Sequence, residues 1–208
     1  MANLITLSRL GWLALAVILL YRSSVTAHLW AAALVVFIII LDGIDGIVAR
    51  AWDEVSDLGS VLDIAIDRVV EQVLWVVYAH LGLVPLWAPL IVITRGVLTD
   101  ALRAYVLAKG ATAFGMMESP WGQFLVSSRF MRALYGTAKT VVFVYLALVA
   151  AAETAWTSTS QAVWLPTLNL LGLGLTVLVV SLTVLRGIPV FIEARRFFGR
   201  ASEVNAER

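Results

Sequence analysis

Uninterrupted apolar runs constrain this chain more than any other feature. LWAAALVVFIII (29–40) is one of several, and such runs are too long and too evenly apolar for the surface of a water-soluble domain. The balance of the whole chain agrees: 61% of its residues are hydrophobic and only 14% charged, with a mean hydropathy of +0.93. In hydrocarbon every backbone N–H and C=O must be satisfied internally, which leaves helices or closed barrels. Alternating strand patterns are absent, so an all-α integral membrane protein is predicted. Six transmembrane helices are expected, at about 5–21, 27–49, 60–82, 86–108, 138–155 and 162–186. The segment after Arg186, GIPVFIEARRFFGR, sets arginines beside aromatics and reads as a C-terminal amphipathic interfacial helix. Residues 1–186 thus form one membrane domain, and 187–208 the interfacial helix and a polar tail. The N-terminal run reads as a retained first helix, because no small-residue cleavage site follows it.

Charge distribution says more than the net charge of +1. With six spans threaded, nearly all the cations fall on one side, and the opposite loops contain essentially only Arg22. The positive-inside rule then places both termini at the cytoplasm, in a multi-pass cell-membrane protein. Nothing in the balance calls for nucleic acid. The absence of cysteine excludes disulfides, thiolate metal sites and cysteine nucleophiles. His28 and His80 are isolated near the predicted outer face and read as interfacial, not as metal ligands. Trp30, Trp87, Trp156 and Trp164 read as an interface belt, Gly172 and Gly174 as packing, and Ser127 and Ser128 as loop.

Against this background one stretch stands out. Residues 41–71, LDGIDGIVARAWDEVSDLGSVLDIAIDRVVE, hold eight of the chain's 14 acidic residues at the predicted cytoplasmic boundary. Asp53 and Glu54 read as a solvated loop. Asp42 and Asp45 are three apart and share a helix face; Asp63 and Asp67 are four apart and share another. Ionisable groups inside apolar helices are costly and are functional candidates by default. Four converging carboxylates would repel one another unless cations lay among them. Hard oxygen donors without Cys or His suit Mg²⁺ or Mn²⁺. Two such ions suit chemistry on a phosphate ester or anhydride. Gly43, Gly46, Ala49 and Gly59 allow close approach of a ligand or a partner helix.

The full spacing is Asp42-x-x-Asp45-Gly46-x-x-Ala49-Arg50, eight residues, then Gly59-x-x-x-Asp63-x-x-x-Asp67. At every fixed position it resembles the signature of the CDP-alcohol phosphotransferase family. The resemblance implies transfer of a phosphatidyl-type group from a CDP-linked lipid to a hydroxyl acceptor, with release of CMP. It implies a two-metal centre at Asp42, Asp45, Asp63 and Asp67, with Asp67 as general base. It also implies a CDP pocket at Gly46, Ala49, Arg50 and Gly59, which Asp57 could join, and a homodimer. A headgroup-depth diphosphate explains why carboxylates gather at a membrane boundary.

Three further stretches resemble bacterial phosphatidylglycerophosphate synthases: NLITLSR (Asn3, Thr6, Arg9), TRGVLTDALR (Arg95, Arg103) and GTAKT (Gly136, Lys139, Thr140). They imply CDP-diacylglycerol as donor and glycerol 3-phosphate as acceptor. This chain departs from that subgroup in Thr137, where a second Lys is common, in Gly96, where an acidic residue is usual, and in a longer 110–135 connection. Arg95, Arg103, Arg129, Arg132 and Lys139 could bind a phosphorylated acceptor. Inositol phosphate or an unphosphorylated alcohol such as serine stays open as the acceptor. Arg129 and Arg132 could equally serve the positive-inside rule or anionic lipid. The readings from other classes are an aspartate-based ion-coupled transporter, an Mg²⁺-using polyprenyl transferase and a purely structural protein. No repeat or broken helix favours the first, and the second leaves Gly46, Ala49, Arg50 and Gly59 unexplained. The complete set of aspartates speaks against the third.

Overall fold

The computed structural model describes residues 2–51, 57–108, 119–157 and 159–206, and every described element is helical. In chain order these are α1 (Ala2–Leu20), α2 (Val25–Ala51), α3 (Asp57–His80), α4 (Trp87–Ala108) and α5 (Pro120–Gly122). A π-helical turn (Gln123–Ser127), α6 (Arg129–Trp156), a 3₁₀ turn (Ser160–Trp164) and α7 (Leu165–Ala206) follow. Three stretches are long and apolar enough to cross a membrane: Val25–Gly43, Arg129–Trp156 and Ser160–Arg195. Thr6–Leu20 is apolar but shorter. α3 and α4 lie where two more spans were expected, and both carry charge: Asp63, Asp67, Arg68 and Glu71 on one, Arg95, Asp100 and Arg103 on the other.

The chain divides into two compact units. The first comprises Met1–Pro89 and Lys139–Thr176. Its construction follows from helix periodicity. On α1 the buried side chains are Thr6, Arg9, Leu13, Ala16 and Leu20, a seam with alternating steps of three and four. On α2 the seam runs His28, Ala31, Val35 and Ile38, and the next step of four reaches Asp42. α1 packs against both α2 and α3. Small residues (Ala16, Ala31, Ala32) on the facing seams let these backbones come close. The centre of the unit is aromatic: Trp75 meets Phe143 edge-on at 5.2 Å, and the buried Tyr78 hydroxyl donates to the Phe143 carbonyl at 2.7 Å. α3 ends on Gly82 at φ +77°, with Leu83 N–H returning to the Tyr78 carbonyl at 2.9 Å. Only glycine adopts that left-handed turn without strain.

The second unit comprises Leu90–Ala138 and Val177–Arg208. Val106, Val126, Val190 and Ala194 form its core, with Leu102, Tyr105 and Leu125 against them. Glu193, 1% exposed, accepts from both the backbone N–H and the hydroxyl of Ser119, at 3.2 and 2.5 Å. Gly187 lies under Arg95: a Cβ there would meet Arg95 Nε at 3.0 Å and Cγ at 3.2 Å.

Two boundaries differ from the sequence expectation. α6 starts at Arg129, well before the expected 138, because an apolar window marks only the greasy part of a helix. Arg, Met, Ala and Leu at its start are strong helix formers and carry it further. The segment expected as a separate interfacial helix is the continuation of α7, which runs unbroken from Leu165 to Ala206 through Pro189. One proline removes one backbone donor, and the helix-forming EARR stretch after it sustains the ladder.

Candidate active site

α1, α2 and α3 each bring one part of a charged cluster to the same place in the first unit. Asp42 is the continuation of the buried α2 seam, so helix geometry alone points it inward. Asp63 and Asp67 stand one turn apart on α3 and share a face. Between them lies Arg9, the polar step in the α1 seam. Its guanidinium is 2.6 Å from Asp42 Oδ1, 3.4 Å from Asp63 Oδ1 and 3.2 Å from Asp67 Oδ1. The fork of N–H donors suits several carboxylates at once. Arg9 is 1% exposed, whereas the three carboxylates are 39%, 48% and 47% exposed. A guanidinium this deep is sustained by paired negative charge, and the carboxylates in turn are spared part of their mutual repulsion.

The structure therefore brings Asp42 together with Asp63 and Asp67. The sequence singled out these three for their faces but did not connect them to Arg9. Asp45, Gly46, Ala49 and Arg50 follow on the last turns of α2, Asp57 opens α3, and their side chains lie outside the described ones. Gly59 is half-buried on the first turns of α3. Asp53 and Glu54 also lie outside the described residues. The oxygen-only donor set fits Mg²⁺ or Mn²⁺ chemically. Among the described residues, however, no three acidic or histidine side chains are spaced to hold one ion by themselves. Their common point is the Arg9 guanidinium.

A second cluster adjoins on α3. Glu71 continues the Asp63, Asp67 face by one more turn and is 2% exposed. Lys139 of α6 reaches its Oε2 at 3.3 Å, and Arg68 lies 3.6 Å from the same oxygen. Lys139, expected at the acceptor, is thus held by a carboxylate that sequence reasoning passed over. The i, i+4 continuation from Asp67 was the available signal. For Arg9 it was the Thr6, Arg9, Leu13 seam, which turns its side chain into the protein.

The remaining acceptor candidates belong to the second unit. Arg103 lies 3.8 Å from Asp100 on its own helix, Arg95 rests over Gly187, and Arg129 and Arg132 are exposed on the first turn of α6. Arg186 stacks over the Tyr135 ring at 5.3 Å, and Tyr135 OH pairs with Thr183 at 3.1 Å. The expected interfacial place of His28 is corrected. It is 6% exposed, with Nε2 donating to the Leu20 carbonyl at 3.1 Å and Nδ1 3.2 Å from Thr154 Oγ1, so it ties α1, α2 and α6 together. Gly172 packs closely on Tyr145 and Leu146, in keeping with its reading as a packing residue.

The model of the CDP-alcohol phosphatidyltransferase family matches residues 1–185. A protein of Mycobacterium bovis named "Putative cardiolipin synthase" is 33% identical over 90 residues, 43% of this chain and 43% of the relative. Two proteins of Mycobacterium tuberculosis strains with that same name match equally. The match therefore spans less than half the length of these curated relatives.

Proposed function

The chain belongs to the CDP-alcohol phosphatidyltransferase family, and from that premise we propose that it transfers a phosphatidyl group from a CDP-lipid to a hydroxyl acceptor and releases CMP. The observation that carries the reading is the convergence of Asp42, Asp63 and Asp67 on one buried cation inside the family-matched segment. CDP-diacylglycerol is the proposed donor and glycerol 3-phosphate the proposed acceptor.

In this reading six helices span the cell membrane with both termini and the aspartates toward the cytoplasm. Two divalent cations, Mg²⁺ or Mn²⁺, held by Asp42, Asp45, Asp63 and Asp67, would neutralise the donor's diphosphate and the charge left on CMP. Asp67 accepts the proton of the acceptor hydroxyl. The hydroxyl oxygen forms a bond to the phosphorus bearing the lipid, and the bond from that phosphorus to the bridging oxygen breaks. The electron pair leaves with CMP. Gly46, Ala49, Arg50, Asp57 and Gly59 are proposed to border the nucleotide. Lys139, with Arg95, Arg103, Arg129 and Arg132, supplies charge for a phosphorylated acceptor. A homodimer is the proposed assembly.

Two observations favour a second acceptor class. This chain differs from the synthases that use glycerol 3-phosphate at Gly96 and Thr137, and the relatives' name points to a lipid product, cardiolipin. The experiment is CMP release by purified protein with CDP-diacylglycerol and Mg²⁺ or Mn²⁺. Glycerol 3-phosphate, inositol phosphate, serine and phosphatidylglycerol are offered separately. Release with one acceptor, lost on chelation, supports the reading and names the acceptor. An absence of release, together with an absence of CDP-lipid binding, would leave the ion-coupled transporter or the purely structural reading.

A further inference from the structure

Around the C-terminal end of α1, within the first unit, lies a cleft of about 190 Å³. Its walls are the α1–α2 turn (Tyr21, Arg22), the turn closing α3 (Leu83) and the last turns of α6 (Glu153, Thr154), with His28 among them. From Arg9 to Leu20 is about 16 Å along α1, so the cleft is separate from the carboxylate cluster. His28 is part of the frame, with one ring nitrogen on the Leu20 carbonyl and the other beside the Thr154 hydroxyl. Two charges are left over. The Arg22 side chain has no hydrogen bond or ion pair among the described residues. Glu153 accepts from Asn169 Nδ2 at 3.0 Å through one oxygen and meets no cation among the described residues.

Opposite charges that line one cleft, and pair neither with each other nor with a neighbouring charge, suit a ligand that carries both. A guanidinium fork matches a phosphate, and a carboxylate oxygen accepts from an ammonium. We propose that the cleft binds a zwitterionic amino-phosphate, the headgroup of an ethanolamine-type phospholipid, with its phosphate on Arg22 and its primary ammonium on Glu153. The volume is that of roughly six waters, enough for a headgroup and below the ~300 Å³ of a drug-sized site. Trp30, Trp87 and Trp164, on the elements that follow the lining turns, are exposed, as side chains at headgroup depth are. A quaternary ammonium would need open aromatic faces. Here the Tyr21 ring already packs on His80 at 5.6 Å, which favours the primary amine. A free amino-phosphate shares this chemistry, and the experiment separates the two sources.

The test is titration calorimetry on the full-length protein in detergent. Dihexanoyl phosphatidylethanolamine, dihexanoyl phosphatidylcholine and free phosphoethanolamine are the probes. Wild type should bind the ethanolamine lipid about tenfold more tightly than the choline lipid, the difference of one hydrogen bond to a charged group. Arg22→Gln should weaken both lipids about tenfold. Glu153→Gln keeps an oxygen for Asn169, and should abolish the preference while leaving the choline lipid unchanged. Free phosphoethanolamine that binds as tightly as the lipid supports the site with a soluble ligand, and weaker binding supports it with the lipid. Equal binding of the two lipids by wild type, or no binding of any probe, overturns the proposal. So does a preference that survives Glu153→Gln, or an affinity that Arg22→Gln leaves unchanged. Unfolding midpoints without lipid check the folding of each variant. Should Glu153→Gln fail to fold, Arg22→Gln decides, because its side chain holds nothing in place. CMP release enters none of these readouts, so the outcome is independent of the transfer reaction.

Discussion

Asp67 and Glu71 stand one turn apart on the same helix face yet do different work. Asp67 is half open, beside Arg9 at 3.2 Å, and is the proposed general base. Glu71 is closed off at 2% exposure and held by Lys139 and Arg68. Their substitutions should therefore separate. Asp67→Asn keeps the shape and loses the base, so CMP release should fall about 10²- to 10⁴-fold with little change in unfolding temperature. Lys139→Met leaves a buried carboxylate short of a partner. It should lower stability by roughly 3 kcal/mol, less whatever Arg68 recovers, read as a lower unfolding midpoint in detergent. The spacing Asp63, Asp67, Glu71 was legible as one face. Which members would be open and which closed was not, because exposure depends on helices 54 or more residues away.

At the scale of helices, two glycines make opposite predictions. Gly82 ends α3 in the left-handed region with open space around it, so Gly82→Ala meets backbone strain and no clash. It should cost about 1 kcal/mol and lower the thermal midpoint without altering the acceptor's KM. Gly187 on α7 has ordinary helical backbone but faces Arg95, and an added Cβ must displace that side chain. Gly187→Ala should leave the midpoint nearly unchanged. If Arg95 binds the acceptor, KM for a phosphorylated acceptor should rise roughly tenfold, the loss of one misplaced charge-assisted contact. An unchanged KM would remove Arg95 from the site. Helix existence was legible almost throughout from apolar runs. The ends were not: α6 and α7 run past their apolar windows because helical hydrogen bonding does not stop where hydrophobicity does.

For the molecule as a whole, the prediction concerns sidedness. The chain has no cysteine, so single cysteines can report topology without background. With both termini at the cytoplasm, Ser24→Cys and Thr157→Cys should react with an impermeant maleimide added to intact cells. Glu203→Cys should react only after permeabilisation. Labelling of all three from outside, or of Ser24 and Thr157 on different sides, would overturn the six-span threading. This matters because three described helices meet the length and composition of a span outright, while α3 and α4 depart from it through the charged residues proposed to work. Functional residues obscure the membrane signal of the helices that carry them.

The sequence by itself determined the helical membrane class, the family and the faces on which the carboxylates stand. Each of these follows from local spacing: apolar run length, the three- and four-residue steps of a helix, and a signature confined to residues 42–67. Only the tertiary structure decided the partners. It placed Arg9 beneath Asp42, Asp63 and Asp67, gave Lys139 to Glu71 and drew His28 into the interior. Periodicity tells which way a side chain points along its own helix. What it meets there is set by the packing of other helices, through Ala16, Ala31, Ala32 and the Trp75–Phe143 contact.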